Sequence, residues 1–462
     1  MYQIDLAKPV SIYFVGIGGI SMSGLACILA DAGFRVSGSD RSPSEITAGL
    51  ETLGIRVLYG QKKENITDDL DVAVLTAAIH PDNPEYIALQ EKGIPMLTRA
   101  QLLGQLMKNY RIPIAISGTH SKTTTTSMIS EILLQAELDP TLSIGGIYRT
   151  INGNTRVVGK EYFVTEACEY TNSFLSFFPK ISLILNIEED HLDFFKDLDD
   201  IRSSFRKFAK LLPKDGCLII NNEISDLQQI TDALECRVVT YCGCKNTLSG
   251  ADYSPEDISF DENGCASVTI CAPGKEKRRV SLQVPGIHNV GNALAAAAVG
   301  DLLEIDSNVI TKALHDFRGT DRRFEHKGTV NGITIIDDYA HHPTEIRATL
   351  TAARAAVKKD LWVIFQPHTY SRTKAFLDDF ADALSLADHV ILSDIYAARE
   401  TDTLGISSDT VRERVAALGT DSHYFPDFAE IEKFVLENCT KDDMLITMGA
   451  GDVYKIGDSL LK

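Results

Sequence analysis

The sequence lacks the features that mark membrane and secreted proteins. The 462-residue chain has no run of about 18 apolar residues. Its opening residues, MYQIDLAKPV, contain neither a basic segment nor a long apolar stretch. We therefore expect a cytoplasmic protein without a membrane partner. Low-complexity tracts and repeats of fixed period are also absent, so the length predicts about three globular domains of roughly 150 residues each.

An excess of positive charge is missing as well. Asp and Glu outnumber Lys and Arg by 64 to 45, which gives a formal net charge of −19. Because a phosphate backbone requires a basic protein face, this balance argues against nucleic acid as a partner. Disulfides are not expected either, since the nine cysteines are scattered and odd in number. The lone C-x-C at Cys242 and Cys244 has no second pair at zinc spacing.

The most informative segment is residues 112–130, IPIAISGTHSKTTTTSMIS. An apolar strand leads into a glycine, and a lysine precedes the threonines that open a helix. Such a junction directs backbone N–H groups and the lysine at phosphate, although the strict G-x-x-x-x-G-K-[ST] pattern fails at Ile116 and Ser121. An ordinary strand–turn–helix with an exposed lysine is the alternative. The predicted phosphate loop contains Gly118, Thr119, His120, Ser121, Lys122, Thr123 and Thr124.

Apolar strands alternate with helical segments through nearly the whole chain. We predict an α/β fold with a Rossmann-like N-terminal domain at 1–107, a P-loop central domain at 108–318 and a Rossmann-like C-terminal domain at 319–462. The segment SVTICAPGKEKRRVSLQV predicts a hairpin within the central domain. The predicted strands are 11–16, 35–39 and 72–79, then 162–166, 181–187 and 217–221, and finally GITIIDD, LWVIFQP, HVILSD and DMLITMG.

A second glycine cluster, VGIGGISMSG, follows the first predicted strand. A dinucleotide fingerprint needs a third glycine where Ser21 stands, so hydride chemistry is not supported. A loop of this kind still binds a diphosphate at the helix N-terminus, and Asp40 lies where an acid usually meets a ribose hydroxyl. Tight-turn glycines without a ligand are the alternative.

Polar residues end two strands that are expected beside the phosphate loop. Glu166 ends YFVTEACE, and Asp190 and His191 follow the strand of LILNIEEDHLD. We assign a first magnesium ion to Thr123 and Glu166. Because imidazole is softer than this ion prefers, we assign a second metal to His191. Solvated strand ends without a metal are the alternative.

Polar residues also crowd two strand ends in the C-terminal domain. His341 and His342 follow one predicted strand, and His368 and Arg372 follow the next. Because neighbouring parallel strands end at the same edge of a sheet, these four residues are predicted to form one cluster, although histidine pairs are more often structural. The rim of the cluster is predicted to contain Asp394, Tyr396 and Arg399.

The order of these motifs along nearly the whole chain resembles the Mur ligases of peptidoglycan synthesis. The resemblance implies three domains that bind a UDP-sugar, ATP and an amino acid, with the third domain closing over the others. It also implies ligation of L-alanine to the carboxylate of UDP-N-acetylmuramate through an acyl phosphate, with ATP and Mg²⁺. The motifs are GTHSKTTTT, EACEYTNSF, NIEEDHLD, PGIHNVGNALAA, GTDRRFE, DDYAHHPTE, FQPHTYSRT, DIYAARE and MGAGDV.

The resemblance also implies roles for individual residues. Besides the phosphate loop, the residues implied in ATP binding are His288, Asn289, Asn292, Arg322 and Asp337. The first three could equally cap the helix that they open, and Arg323 is expected only to make a structural pair. The residues implied in catalysis are Lys122, His191, His342, His368 and Arg372. The residues implied in UDP-sugar binding are Gly16, Gly18, Gly19, Ser21, Met22, Asp40, Thr76 and Ala77.

Two residues depart from the family pattern. Ser121 replaces the glycine before the lysine, which costs roughly 1–2 kcal/mol if the position needs a positive φ. Thr369 stands where many relatives have arginine, so anion recognition would depend on Arg372.

Two alternative functions stay open, a ligase that attaches a tripeptide to the same sugar nucleotide and a nucleotide-binding homologue with weakened catalysis. The sequence does not decide between a monomer and a homodimer.

Overall fold

The computed structural model describes residues 2–76, 79–244, 250–398, 400–402 and 404–462. They form an α/β protein in which three large, mostly parallel sheets follow one another along the chain. The predicted fold class is confirmed. No helix in this part of the chain is long and apolar enough to cross a membrane.

The N-terminal sheet is entirely parallel. Its elements are β1 Ser11–Val15, α1 Ile20–Asp31, β2 Arg35–Asp40, α2 Glu45–Thr52, β3 Arg56–Tyr59, β4 Val72–Leu75, α3 Pro84–Glu91, β5 Met96–Thr98 and α4 Arg99–Met107. The strand order is β3-β2-β1-β4-β5. Every residue of β1 is buried, as expected for a central parallel strand. The strand predicted at 72–79 ends at Leu75, and Ala77 and Ala78 lie outside the described residues.

The central sheet has seven strands, of which one edge strand is antiparallel. Its elements are β6 Ile112–Ser117, α5 Lys122–Gln135, β7 Thr141–Tyr148, β8 Gly153–Arg156, β9 Tyr162–Ala167, β10 Ile181–Ile184, α6 Leu198–Ala209, β11 Cys217–Asn221, α7 Gln228–Thr231 and β12 Arg237–Tyr241. The strand order is β12-β11-β10-β6-β9-β7-β8. Because β6 lies between β9 and β10, the phosphate loop is flanked by the ends of both neighbours.

A small antiparallel sheet and two helices complete the central domain. They are β13 Ser254–Phe260, β14 Cys265–Cys271, β15 Arg278–Pro285, α8 His288–Leu302 and α9 Ser307–Asp316. The predicted hairpin is confirmed, since β14 pairs with β15 and Val268 lies opposite Val280. The helix α8 packs its alanine-rich, buried surface into the core beside α5.

The C-terminal sheet has six strands. Its elements are β16 Glu325–Val330, β17 Ile333–Asp338, α10 Pro343–Ala356, β18 Leu361–Phe365, α11 Tyr370–Ala375, α12 Leu377–Leu384, β19 His389–Leu392, α13 Ser408–Ala417, β20 Asp421–Tyr424, α14 Phe428–Asn438, β21 Met444–Met448 and α15 Tyr454–Leu460. The strand order is β16-β17-β21-β18-β19-β20, with β16 antiparallel. The four predicted strands are present, and the polar strands β16 and β20 extend the sheet at its edges.

Candidate active site

The phosphate loop leaves β6 and is tied to the end of β10. The backbone N–H of His120 donates to the Asn186 side chain at 2.7 Å, and that of Thr119 donates to the Asn186 carbonyl at 3.2 Å. Gly118 has φ +147°, and a Cβ there would lie 2.9 Å from Leu185. The predicted strand–loop–helix is present, with α5 beginning at Lys122.

Ser121 has a positive φ, which the sequence alone did not decide. Its φ and ψ are 67° and 3°, in the left-handed region, and its side chain makes no hydrogen bond that caps α5. The condition for a cost of roughly 1–2 kcal/mol is therefore met.

The alternative of an exposed loop lysine does not hold for Lys122. Its side chain is 16% exposed, and its Nζ lies 3.1 Å from Glu169 Oε2, whose side chain is 3% exposed. Nζ also donates to the carbonyls of Gly118 and Thr119 at 2.5 and 3.1 Å. Burial opposes the charge, but Glu169 and nearby groups raise the pKa of Lys122 above its ordinary value. Sequence reasoning missed Glu169, although it is the second acid of the EACE motif.

The two residues assigned to the first magnesium ion lie against two consecutive glycines of strand β7, Gly145 and Gly146. A Cβ on Gly145 would lie 2.6 Å from Glu166 Oε2, and one on Gly146 would lie 3.2 Å from the Thr123 methyl. The Gly145 N–H donates to Glu166 Oε1 at 2.6 Å. Two glycines thus leave space beside a hydroxyl and a carboxylate, which are the hard oxygen donors that Mg²⁺ prefers.

His191 lies between two carboxylates. Its Nε2 is 3.8 Å from Glu169 Oε1 and 3.7 Å from Asp190 Oδ2, and its ring lies 4.5 Å from that of Tyr170. Burial lowers the pKa of His191, and the two carboxylates only partly oppose this effect. The imidazole is therefore neutral at pH 7 and has a lone pair for a metal or a proton.

Arg372 of the C-terminal domain reaches the end of β10. Its Nη2 and Nε lie 2.7 and 3.1 Å from Asp190 Oδ1, and both side chains are less than 10% exposed. Burial would raise the pKa of Asp190, but Arg372 together with nearby His191 and His341 outweighs it and holds that pKa well below its usual range. His368 Nδ1 lies 3.1 Å from Arg372 Nη1. We call the resulting series the charge chain, which consists of Lys122, Glu169, His191, Asp190, Arg372 and His368.

A second set of contacts joins the same two domains near the phosphate loop. His120 Nδ1 lies 3.2 Å from Glu345 Oε1, and His120 Nε2 lies 3.4 Å from Glu188 Oε2. His342 Nε2 donates to the Glu189 carbonyl at 3.0 Å. His341 instead donates from Nδ1 to a carbonyl of its own loop.

A cavity of about 310 Å³ lies between the central and C-terminal domains. Arg322 and Asp337 do not line it, because Arg322 donates to Asp337 at 3.0 Å and to the Gly449 carbonyl at 2.7 Å. Arg323, which was expected to make only a structural pair, does pair with Glu345 at 3.9 Å and also lines the cavity. The predicted ATP-binding residues that line it are His120, Ser121, Thr124, His288, Asn289 and Asn292.

A second, larger cavity of about 810 Å³ adjoins the other side of the charge chain. His191, His368 and Arg372 line it together with Tyr396 from the predicted rim. Asp394 accepts a hydrogen bond from the hydroxyl of Tyr424 instead, and Arg399 lies outside the described residues. Of the predicted cluster, His368 and Arg372 therefore line this cavity, whereas His341 and His342 line neither of the two cavities.

The N-terminal glycine loop forms as predicted, but its acid is already engaged. Asp40 Oδ2 accepts the Gly18 N–H at 2.8 Å, which holds the turn in place. Gly16 has φ +82°, and a Cβ there would lie 2.7 Å from the Thr76 methyl. Gly19 caps α1, Met22 is buried, and Ala77 lies outside the described residues.

Arg99 is a residue that sequence reasoning missed. It is the first residue of α4, and its Nη1 donates to Ser21 Oγ at 2.9 Å. Burial lowers the pKa of Arg99, while the charges of Cys168 and Glu166 oppose this effect. Arg99 therefore contacts Ser21 of the glycine loop and lies within the electrostatic range of Glu166.

Three family models match successive parts of the chain. They are "Mur ligase family, catalytic domain" over 11–111, "Mur ligase middle domain" over 116–300 and "Mur ligase, glutamate ligase domain" over 322–451. A protein from Agathobacter rectalis named UDP-N-acetylmuramate–L-alanine ligase is 57% identical over 462 residues, which are 100% of both chains. A relative of the same name from Acetivibrio thermocellus is 48% identical, with 100% of this chain and 98% of that one covered.

Solved structures agree with these relatives. The UDP-N-acetylmuramate-alanine ligase of Thermotoga maritima has a TM-score of 0.82 at 30% identity, with 98% of each chain covered. A murein peptide ligase from Psychrobacter arcticus has a TM-score of 0.74 at 24% identity, again over 98% of each chain, and this likeness concerns the fold alone.

Proposed function

The chain belongs to the Mur ligase family, and on that premise we propose that it ligates L-alanine to the carboxylate of UDP-N-acetylmuramate with ATP as the phosphoryl donor. The product is a precursor of peptidoglycan. Full-length relatives named for this activity, at 57% and 48% identity, support the proposal. The reaction would take place in the cytoplasm, where ATP and nucleotide sugars are available, without nucleic acid or a membrane as a partner.

One geometric observation carries the proposal, namely that the charge chain runs from the phosphate loop to the C-terminal domain. Lys122 lies at one end and Arg372 near the other, with the neutral imidazole of His191 between them. Transfer of a phosphoryl group to a carboxylate brings two anions together, so positive charge is needed on both sides. The charge chain offers one cation from the central domain, Lys122, and one from the C-terminal domain, Arg372.

In the first step Lys122 would bind the terminal phosphates of ATP, which supplies the phosphoryl group that makes a carboxylate oxygen a leaving group. The Lys122 ammonium would exchange part of its contact with Glu169 for phosphate oxygens. A bond forms between the carboxylate oxygen and the γ-phosphorus while the bond to ADP breaks. Glu169 would keep the lysine charged and oriented during this exchange.

In the second step the amine of alanine attacks the acyl carbon, inorganic phosphate leaves and the nitrogen loses a proton. Arg372 and His368 would orient the acyl phosphate from the side of the larger cavity. Burial lowers the pKa of His341 to about 3 and also lowers the pKa of His342. Both imidazoles are therefore neutral at pH 7 and would act through hydrogen bonds rather than as cations.

Magnesium fits the residues assigned to it. Thr123 and Glu166 would hold one ion beside Gly145 and Gly146 of β7, and His191 a second ion beside Glu169 and Asp190. The ions would neutralise phosphate charge. The space that the two glycines leave supports this assignment.

The N-terminal domain would bind the UDP-sugar through the loop of Gly16, Gly18, Gly19, Ser21 and Met22, with Asp40 and Thr76 behind it. Arg99 would add positive charge on the side that faces the first magnesium ligands. We propose the same division into domains at 1–107, 108–318 and 319–462, because each segment contains one of the large sheets.

Phosphate release tests the function directly. The enzyme would be supplied with ATP, Mg²⁺ and UDP-N-acetylmuramate, and then with alanine, glycine, serine or a tripeptide as the amine. We expect release with alanine at the highest kcat/KM and none with the tripeptide. Release with the tripeptide alone would identify a tripeptide ligase, and the absence of release with every one of these amines would identify a homologue with weakened catalysis.

A further inference from the structure

We propose that His120, Glu188 and His342 form a site for a divalent transition metal of the zinc class that links the central and C-terminal domains. We call these three residues the interdomain cluster. One donor atom of each residue lies within 4.8 Å of the other two. None of the three is among the ligands assigned to magnesium.

His120 has the environment of a metal-binding imidazole. The residue is only 8% exposed, and its Nε2 has no hydrogen-bond partner among the described residues, although Glu188 Oε2 is 3.4 Å away. On the other side of the ring, Nδ1 lies 3.2 Å from Glu345 Oε1. A carboxylate that accepts the proton of one ring nitrogen fixes the other as the metal ligand, which is the usual second-shell arrangement of zinc sites.

His342 is oriented in the same way by the central domain. Its Nε2 donates to the Glu189 carbonyl at 3.0 Å, so its Nδ1 carries the lone pair. The contact at that lone pair is a long hydrogen bond of 3.3 Å from the Thr344 N–H. The His342 ring lies 4.7 Å from that of His120, and the Thr344 hydroxyl holds Glu188 Oε2 at 2.8 Å.

The donor set selects the class of metal. Two imidazoles and one carboxylate form an open zinc site with a fourth position for water, whereas magnesium prefers oxygen ligands throughout. His120 and Glu188 line the smaller cavity, so an ion can enter from there and the fourth position can face it. Zinc–nitrogen bonds are about 2.0–2.1 Å long. Two such bonds at a tetrahedral angle place their donors roughly 3.3 Å apart, and His120 Nε2 and Glu188 Oε2 already lie 3.4 Å apart.

Cobalt(II) titration of the full-length protein tests the site, because tetrahedral Co²⁺ absorbs strongly in visible light and reports its ligands. With excess Mg²⁺ present, we expect one tightly bound Co²⁺ per chain, displaced by Zn²⁺. His342→Ala and the isosteric Glu188→Gln should each weaken binding by more than about tenfold, and Glu345→Gln by about tenfold to a hundredfold. Circular dichroism without metal would show that each variant is folded.

An exposed group elsewhere in the C-terminal domain provides a matched control. His389 and His423 lie 2.7 and 3.2 Å from Asp421 on the neighbouring strands β19 and β20, and His423→Ala should leave the tight Co²⁺ signal unchanged. Loss of the signal in His423→Ala with retention in His342→Ala would overturn the proposal. So would equal, weak binding by the wild type and Glu188→Gln, which would leave His120 as a charged bridge between two carboxylates.

Discussion

The N-terminal and central domains share one hydrophobic core, whereas the C-terminal domain has cores of its own and meets the central domain through polar groups. The shared core includes Phe14 and Leu103 on one side and Phe163 and Phe174 on the other. The cores of the C-terminal domain contain only its own residues. We call the boundary between the N-terminal and central domains the first, apolar joint and the boundary between the central and C-terminal domains the second, polar joint. The second joint contains the contacts of the charge chain and of the interdomain cluster, together with the ion pair of Arg149 with Asp321 at 2.7 Å.

The difference between the two joints indicates which of them can respond to ligands. Apolar burial is non-directional, and no small polar ligand can replace it. An ion pair can be exchanged, because phosphate oxygens that reach Lys122 or Arg372 compete with Glu169 and Asp190 for the same cations. We therefore expect the C-terminal domain to move on binding, and the N-terminal and central domains to move as one body.

The largest effect is expected from Lys122→Ala, which removes the cation at the phosphate end of the charge chain. Activity should fall by at least about a hundredfold to a thousandfold, as for other lost transition-state donors. Stability should also fall by about 3–5 kcal/mol, because Glu169 is left buried without its cation. Phosphate release and urea unfolding would measure the two effects. Adding Glu169→Gln should recover stability but not activity, and recovery of both would contradict the role of Lys122.

Breaking an ion pair of the polar joint is expected to have a smaller effect than the loss of Lys122. Asp190→Ala leaves Arg372 without its buried partner, which should weaken docking of the C-terminal domain by about 3–5 kcal/mol. The radius of gyration in X-ray scattering should rise. The exposed pair of Arg111 and Glu161 gives the control, since Glu161→Ala should change stability by less than about 1 kcal/mol. An unchanged scattering curve for Asp190→Ala would mean that charge does not hold this joint.

A substitution at the apolar joint should lower the stability of the protein without separating the domains. A Cβ on Gly104 would lie 1.9 Å from the Ser176 carbonyl oxygen across the first joint. Gly104→Ala should therefore lower the free energy of unfolding by about 1–3 kcal/mol through overpacking, with little change in the radius of gyration. Gly49→Ala is the matched control, because Gly49 lies in α2 with nothing within 4 Å of its added Cβ. If both variants have the same stability, the first joint is looser than its packing indicates.

Ser121→Gly should stabilise the protein by about 1–2 kcal/mol, because it relieves the left-handed backbone at the entrance to α5. Differential scanning calorimetry would measure the gain. Asn152 also has a positive φ, of 50°, but asparagine tolerates this region, so Asn152→Gly should gain less. A loss of stability in Ser121→Gly would show that the serine hydroxyl contributes more than the strain costs.

The smallest effect should come from pH at the polar joint. Burial alone would lower the pKa of His120, but Glu345 and Glu188 raise it to about 9, above the ordinary value of about 6.5. With metal removed by a chelator, the contribution of His120 to docking is therefore full below about pH 6.5 and is lost as the pH rises through about 9. Scattering at increasing pH should show an expansion that His120→Gln lacks. Expansion on acidification through this range would contradict the sign.

The sequence predicted those parts of the fold and site that depend on local pattern. Apolar runs located the central strands of all three large sheets, and their carboxyl ends brought Lys122, Glu166 and His191 together. The polar strands β16 and β20 gave no such signal. Arg322 and Arg323 are adjacent in sequence but pair with different carboxylates, those of Asp337 and Glu345, which only the tertiary structure decides.

Contacts between residues that are far apart in the chain were not predictable from motifs. Glu169 and Glu345 are defined by the cations that they meet, and those cations lie far away in the chain. The same holds for Arg99, whose partner Ser21 belongs to another loop. A motif identifies a residue that can bind phosphate, but the counter-ion that holds it in place depends on tertiary structure.

The fate of a heavy-oxygen label tests the central claim most directly. UDP-N-acetylmuramate labelled in both carboxylate oxygens would be incubated with the enzyme, ATP, Mg²⁺ and L-alanine, and the products analysed by mass spectrometry. We predict that one labelled oxygen passes to inorganic phosphate, while the other stays in the new amide. Unlabelled phosphate, or label in AMP, would contradict activation of the carboxylate as an acyl phosphate on the charge chain.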